Sequence, residues 1–379
     1  MKSGISKHIL FLSLVWIAVS AQAQADSARF DRPSLCLMML AHPEQAFGQE
    51  IEIIFREMDM PERFNDHSLG VRGVKFPNDQ SEDIVTKILG FTDHVQLPKK
   101  MVSKWFSRDK QTGIFSTDLI AERGLYNATK QDFSIAEQTI RGLSLLEDAG
   151  EKLISKTFLV LCDYSYNRTY SRESNDKQDD AIYRKDNRLS SFELTCTSYL
   201  FRLVWNDSVA AVFYNNYYTE TTDAEKAKAF QQNKSLFELA YVGSCTDTEK
   251  SVNTGGQYSN QQLIKKTCVR LCDKNLTSLQ HAHPEFRIKA PLVTTSPLKA
   301  YIGQKEGVTA QSRFEVLMPV YRKNGTYSYQ RVGVIKPISG KIWDNRYMAN
   351  EQENGLDATY FEQVSGGELT TGMLIREMD

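Results

Sequence analysis

The sequence predicts an α+β chain in three parts. A mainly helical N-terminal region covers 26–130, a central sheet with helices covers 131–295, and a small β-barrel covers 296–379. Three observations carry this reading. Apolar residues recur at helical spacing before residue 130. Capping signatures then alternate with runs of β-formers. From Pro297 the texture changes to short strands broken by tight turns.

A leader precedes these parts. Lys2 and Lys7 give a positive start, residues 9–20 form a twelve-residue apolar run, and Ala21-Gln22-Ala23 and Ala23-Gln24-Ala25 offer two small-residue cleavage sites. That is the layout of a secretory signal peptide. A bilayer span needs about 20 apolar residues, so the run is too short to be one. Residues 1–25 are therefore expected to be a signal peptide, cleaved near Ala23 or Ala25, and the mature protein to be periplasmic or extracellular. No later apolar run reaches spanning length, so no transmembrane segment is expected in the mature chain. Cys36 invites a lipoprotein reading, but the polar stretch 26–33 separates it from the apolar run, which argues against lipidation.

Composition narrows the class. The chain is 41% hydrophobic and 25% charged, with a formal net charge of -1. These are ordinary globular values, and no global field favours nucleic acid or an anionic membrane. Six cysteines follow the leader: Cys36, Cys162, Cys196, Cys245, Cys268 and Cys272. An even count in an oxidising compartment permits disulfides, but six in a chain this long leave most of the stabilising to the core.

Residues 35–41 read as a buried strand or a helix start. Leu97, Met101, Val102, Trp105 and Phe106 share one face of a helix, which Thr112-Gly113 ends. Ser116 or Thr117 can cap the next helix. Three capping boxes follow: Ser134 with Glu137, Thr222 with Glu225, and Ser259 with Gln262. Between them, 157–162 reads as a central strand and 192–205 as a long one. Asn206-Asp207-Ser208 reads as a turn, with 209–218 as a hairpin partner, and 236–242 as another strand. Ten of the twenty residues over 171–190 are charged, so 166–190 is expected to be a mobile insertion. In the last part, strands over 314–321 and 326–334 flank Arg322-Lys323-Asn324-Gly325, whose Asn-Gly suits a tight hairpin. A further strand is expected over 341–345. Phe314, Val316, Val332, Val334 and Ile342 are expected inside a small closed barrel.

The last part also resembles a known domain. Ile302-Gly303-x-Lys305-Glu306-Gly307-Val308, Arg313-Phe314-x-Val316, Val332-Gly333-Val334-Ile335-Lys336 and Gly366-Gly367-x-Leu369-x-x-Gly372-Met373 resemble the SH3-like C-terminal domain of flagellar assembly protein T. The resemblance covers about residues 297–377 and implies an SH3-like barrel. The rhythm of the central part is similar to curli-assembly and TolB N-terminal-type domains. With Lys104-Trp105-Phe106-Ser107-Arg108-Asp109 and Ala149-Gly150-Glu151-Lys152-Leu153, the whole chain resembles a family of exported bacterial envelope proteins. These resemblances imply no catalytic residues.

The sequence carries neither phosphate-cradling glycine motif, nor Gly-x-Ser-x-Gly, nor His-Glu-x-x-His. After the leader its histidines are His42, His67, His94, His281 and His283. Cys268-x3-Cys272 with His281-x-His283 offers zinc-ligand chemistry. Both cysteines, however, fall on the apolar face of the third capped helix, where a thiol acts as a small hydrophobe. Trp105-Phe106 and the aromatics over 213–218 could stack on sugars, but the favoured reading is that the first pair anchors a helix and the second alternates across a sheet. Asp344-Asn345-Arg346 could form a polar site at a barrel rim or a turn. No catalytic, cofactor-binding or metal residue is assigned, and no cofactor is expected. The expected function is that of an exported non-enzymatic envelope protein binding a protein or cell-wall partner. The alternative is a secreted hydrolase acting on peptide or glycan with a dispersed site.

Overall fold

The computed structural model describes residues 32–76, 83–128, 150–167, 188–321, 327–349 and 355–378. The leader, the capping box at 134–137, most of the segment 166–190 and the turn at 322–325 lie outside the described residues. The chain is mixed α+β, with helices and two sheets.

The first sheet contains β1 (Ser34–Leu40), β2 (Asn65–Asp66), β3 (Gly73–Val74), β4 (Thr157–Tyr166), β5 (Ser191–Leu203) and β6 (Leu239–Val252). Its order is β2-β1-β4-β5-β6, with β3 also beside β1. Strand β1 is parallel to β2, β3 and β4, while β4, β5 and β6 run antiparallel in turn. All seven residues of β1 are buried, as befits a strand covered on both faces. It pairs with β4 from Ser34 opposite Thr157 to Leu40 opposite Asp163. The regions expected to divide near residue 130 thus share one sheet. Helices α1 (Gly48–Glu57), α2 (Ile84–His94), α3 (Leu97–Trp105) and α4 (Asp118–Asn127) make up much of the rest of the N-terminal region.

Two apolar layers follow from strand alternation. Leu35, Leu37 and Met39 of β1, Phe158, Val160 and Cys162 of β4, and Leu194, Cys196 and Leu200 of β5 face α1 and the long helix α7 (Asn260–Ala282). Cys36, Met38, Leu159, Leu161, Phe201 and Leu203 face the other way, toward α2, α3 and a cluster of aromatic rings. Burying one such side chain contributes roughly 1.5–3 kcal/mol, against about 1 kcal/mol net for a typical hydrogen bond. Apolar burial therefore holds the layers together. The burial of Cys36 in the central strand follows from the same alternation.

Helix α7 begins where its capping box predicts. Ser259 Oγ accepts from Gln262 N at 3.2 Å, and Gln262 Oε1 accepts from Ser259 N at 2.9 Å. Other expectations are corrected. Residues 209–218 are not a strand but lie largely in α5 (Asp207–Asn216). Asn206 Oδ1 accepts from Val209 N at 3.0 Å, so the supposed turn is a helix cap. Helix α6 (Ala224–Gln232) is capped by Asp223 rather than Thr222, through Glu225 N and Lys226 N. Thr117 occupies the N-cap of α4 but makes no side-chain cap. Strand β6 runs ten residues past its expected end at Val242. Residues 341–345 form no strand; there Trp343 N donates to Thr359 Oγ1 at 3.1 Å.

The second sheet is a closed ring of six antiparallel strands. These are β7 (Ala290–Thr295), β8 (Leu298–Ala300), β9 (Phe314–Tyr321), β10 (Tyr327–Pro337), β11 (Thr359–Gly366) and β12 (Leu374–Glu377), in the order β10-β11-β8-β7-β12-β9. Phe314, Val316, Leu292, Ile335, Phe361 and Ile375 fill it. Val332 and Ile342 pack against this core while partly exposed. Ile335 takes the buried place expected of Val334, because β10 slips register against β9 between Arg331 and Gly333 and against β11 between Val334 and Ile335. Such slips reverse which side chains point inward.

Helix α7 joins the two sheets. Arg270 Nε donates to the Tyr347 carbonyl at 2.8 Å, and Thr277 Oγ1 to the Lys305 carbonyl at 3.3 Å. His281 Nε2 lies 2.8 Å from Glu377 Oε2 on the last strand of the ring.

Candidate functional site

The ring closes on itself, so pairing satisfies its strand edges. The first sheet ends differently. Strand β6 is fourteen residues long and, among the described residues, pairs with β5 alone. Its outer edge presents a row of backbone donors and acceptors, the template for adding another strand.

The strand is built for that position. Tyr241, Ser244, Thr246, Thr248, Lys250 and Val252 are exposed in near-regular alternation. On the face turned from α7, their neighbours form a hydroxyl-rich strip. Thr195 Oγ1 and Thr248 Oγ1 are 2.8 Å apart, and Thr197 Oγ1 and Thr246 Oγ1 are 2.9 Å apart. Asn167 Nδ2 donates to Thr195 Oγ1 at 2.8 Å and to Glu193 Oε1 at 3.1 Å. Lys250 Nζ lies 3.6 Å from Glu193. These cross-strand pairs stiffen the strip without apolar burial.

The face turned toward α7 is guarded. Lys274 Nζ donates to the Thr248 carbonyl at 2.9 Å, a lysine at a sheet edge of the kind that discourages indiscriminate pairing. Asp247 Oδ2 is buried and meets no hydrogen-bond partner among the described residues.

At the carboxyl ends of β1 and β4, His42 Nε2 lies 2.7 Å from Asp163 Oδ1, and Nδ1 lies 3.4 Å from Glu44 Oε1. The Asp163 hydrogen bond raises the pKa of His42, so the neighbouring carboxylates favour the protonated ring.

The zinc candidates are not brought together. Cys268 and Cys272 are buried against the sheet beside Cys162 and Cys196, where the Cys162 hydrogen bond and then burial push the Cys272 thiol well up. His281 lies nine residues further along α7, about 13 Å at 1.5 Å per residue, and pairs with Glu377. His283 packs where a side chain on Gly243 would collide with its ring.

The aromatic candidates are core. Trp105 is fully buried, and its Nε1 donates to Thr157 Oγ1 at 2.7 Å. Phe106 and Phe213 pack at a tilt with ring centroids 4.5 Å apart in the cluster beneath α5. Asp344 holds Arg346 at 2.6 Å, while Asn345 turns inward: its Oδ1 accepts from Lys305 N at 2.8 Å.

Sequence reasoning missed the β6 edge. The one available signal was the alternation Thr246, Thr248, Lys250, which a polar composition disguises as loop. No protein-family model matches the chain, and no curated protein matches it in sequence.

Proposed function

We propose that this is an exported, non-enzymatic envelope protein that holds a partner protein by strand addition to β6. The observation that carries the reading is the fourteen-residue strand paired on one side only among the described residues. Main-chain hydrogen bonds would supply affinity, and the threonine strip with Lys250 would select side chains on the incoming segment. The leader layout supports export, to the periplasm or beyond the cell. The six-stranded ring, which starts with β7 at Ala290 rather than at 296, and its glycine-punctuated motifs support reading the C-terminal part as an SH3-like barrel, with α7 anchoring it. His42 lends the hydrolase alternative little support, since carboxylates face both its ring nitrogens.

Neighbouring residues on a strand turn their N–H groups to opposite sides. Proline at Thr246 and at Asp247, tested separately, therefore removes one N–H that faces β5 and one that faces outward. The outward variant should fold and lose the partners that the wild-type chain captures from an envelope fraction, as read by mass spectrometry. If the folded variant keeps every partner, strand addition fails. Loss of partners only when the ring is deleted would move binding to the ring. Capture of glycan strands alone would favour a cell-wall partner.

A further inference from the structure

At the seam between the first sheet's layers and the ring, two buried carboxylates share one buried cation. Asp273 on α7 and Glu306 in the 304–306 turn lie 3.5 and 3.3 Å from the Arg63 guanidinium, with side chains 10%, 9% and 0% exposed respectively. Arg63 also donates to the Lys305 carbonyl at 3.3 Å and the Asp273 carbonyl at 3.1 Å. Glu306 is well served: its Oε2 accepts from Gly303 N at 2.8 Å and Asn345 Nδ2 at 2.7 Å. Asp273 is less well served: its Oδ1 meets Arg63 Nη2 only at the 3.5 Å ion-pair distance and accepts no hydrogen bond among the described residues. Buried charges are ordinarily paired and hydrogen-bonded, so the group is one positive charge short. Lys305 acts on Asp273 only through space, and burial still pushes the carboxyl up.

A cavity of about 260 Å³ opens on Asp273. Glu57 at the end of α1 and Asp59 and Glu62 just after it line the cavity, and Lys265 and Lys305 also line it, so with Asp273 carboxylates outnumber ammonium groups four to two. Met58, Met60 and Val269 give it apolar walls. Among the described residues no group of three His, Cys, Asp or Glu side chains is placed to hold a metal ion, so an organic cation suits the site better than a bare divalent one.

We propose that this seam cavity binds a primary ammonium group on a short apolar chain, with Asp273 as its counter-ion and Met58, Met60 and Val269 around the carbons. The proposal is independent of the β6 reading. Its test is calorimetric titration of the mature chain with n-butylammonium chloride, against sodium butyrate and sodium chloride at equal ionic strength. Saturable binding of n-butylammonium alone is expected. Asp273→Asn should weaken it roughly tenfold or more, and Val269→Trp, which fills the cavity without touching charge, should abolish it. No saturable binding to the wild-type chain overturns the proposal, as does undiminished binding by either folded variant. Should a variant unfold by circular dichroism, amide shifts of the wild-type chain decide. Shifts centred on Asp273, Lys305 and Asn345 support the site, and shifts centred elsewhere overturn it.

Discussion

Arg63 Nη1 lies 3.3 Å from Glu306 Oε1, an ion pair between residues 243 positions apart in the sequence. It links the chain just before β2 to the turn between β8 and β9 of the ring. Both side chains are nearly sealed from water. A buried pair of this kind adds little over apolar packing, yet breaking it is costly, because the survivor is stranded. Arg63→Ala strands two carboxylates, Glu306 and Asp273, and should cost about 3–5 kcal/mol. Urea unfolding of the chain measures this. Combining Arg63→Met with Asp273→Asn and Glu306→Gln should recover much of the loss. An Arg63→Ala midpoint equal to wild type would mean that water reaches the pair.

His67 and Arg123 form a second buried group with a pH signature. The Met101 carbonyl can only accept, so His67 Nε2 carries the proton toward it at 3.0 Å, and Nδ1 accepts from Arg123 Nη1 at 3.0 Å. Burial first, then the Arg123 charge, holds His67 well below the usual imidazole range, while burial brings Arg123 down to about 10. The unfolded chain protonates His67 near pH 6.5 and the folded chain does not. The stability is therefore fully present above about pH 6.5 and falls as pH drops, by about 1.4 kcal/mol per unit, until the folded ring protonates. His42 runs the opposite way: its raised value gives stability that is present at low pH and lost as pH rises through it. Being partly exposed, it contributes less. Unfolding at pH 5 and pH 7 should show a smaller acid loss in His67→Gln than in wild type. Equal pH slopes would mean that the ring titrates normally in the fold.

How much of this was legible in the sequence depended on whether local rules settled the element. Ser259 and Gln262 satisfy each other's backbone groups, so the start of α7 needs no tertiary information. Strand β4 was legible because a central strand is apolar throughout. Helix α5 was not. Its aromatics mimic a β-run, and only Val209, Phe213 and Tyr217, four residues apart, betray a helix. Strand β1 was ambiguous because a seven-residue apolar run fits either state until a partner is known, and β4 lies more than a hundred residues away. The seam cavity was illegible in principle: Asp273, Arg63 and Asn345 meet only through packing of distant segments.

The approach of Gly303 to Asn345 gives a test of how tightly that seam is built. Gly303 has φ -153° and ψ -151°, extended values that most residues adopt, so backbone strain is not the reason for glycine here. The reason is space. A Cβ at 303 would overlap the Trp343 carbonyl oxygen and stand 2.6 Å from Asn345 Oδ1. Gln304 N donates to that same carbonyl at 2.9 Å, and Asn345 bridges Lys305 N and Glu306 Oε2. Gly303→Ala must therefore push the 343–345 segment away and break these bonds together. Overpacking of this sort costs about 1–3 kcal/mol. Asn345 also lines the seam cavity, so the same change should weaken n-butylammonium binding although it alters no charge. Thermal unfolding and calorimetry on one preparation read both effects. Wild-type stability in Gly303→Ala would show that the segment yields freely, and that the seam is not the close-packed joint these distances describe.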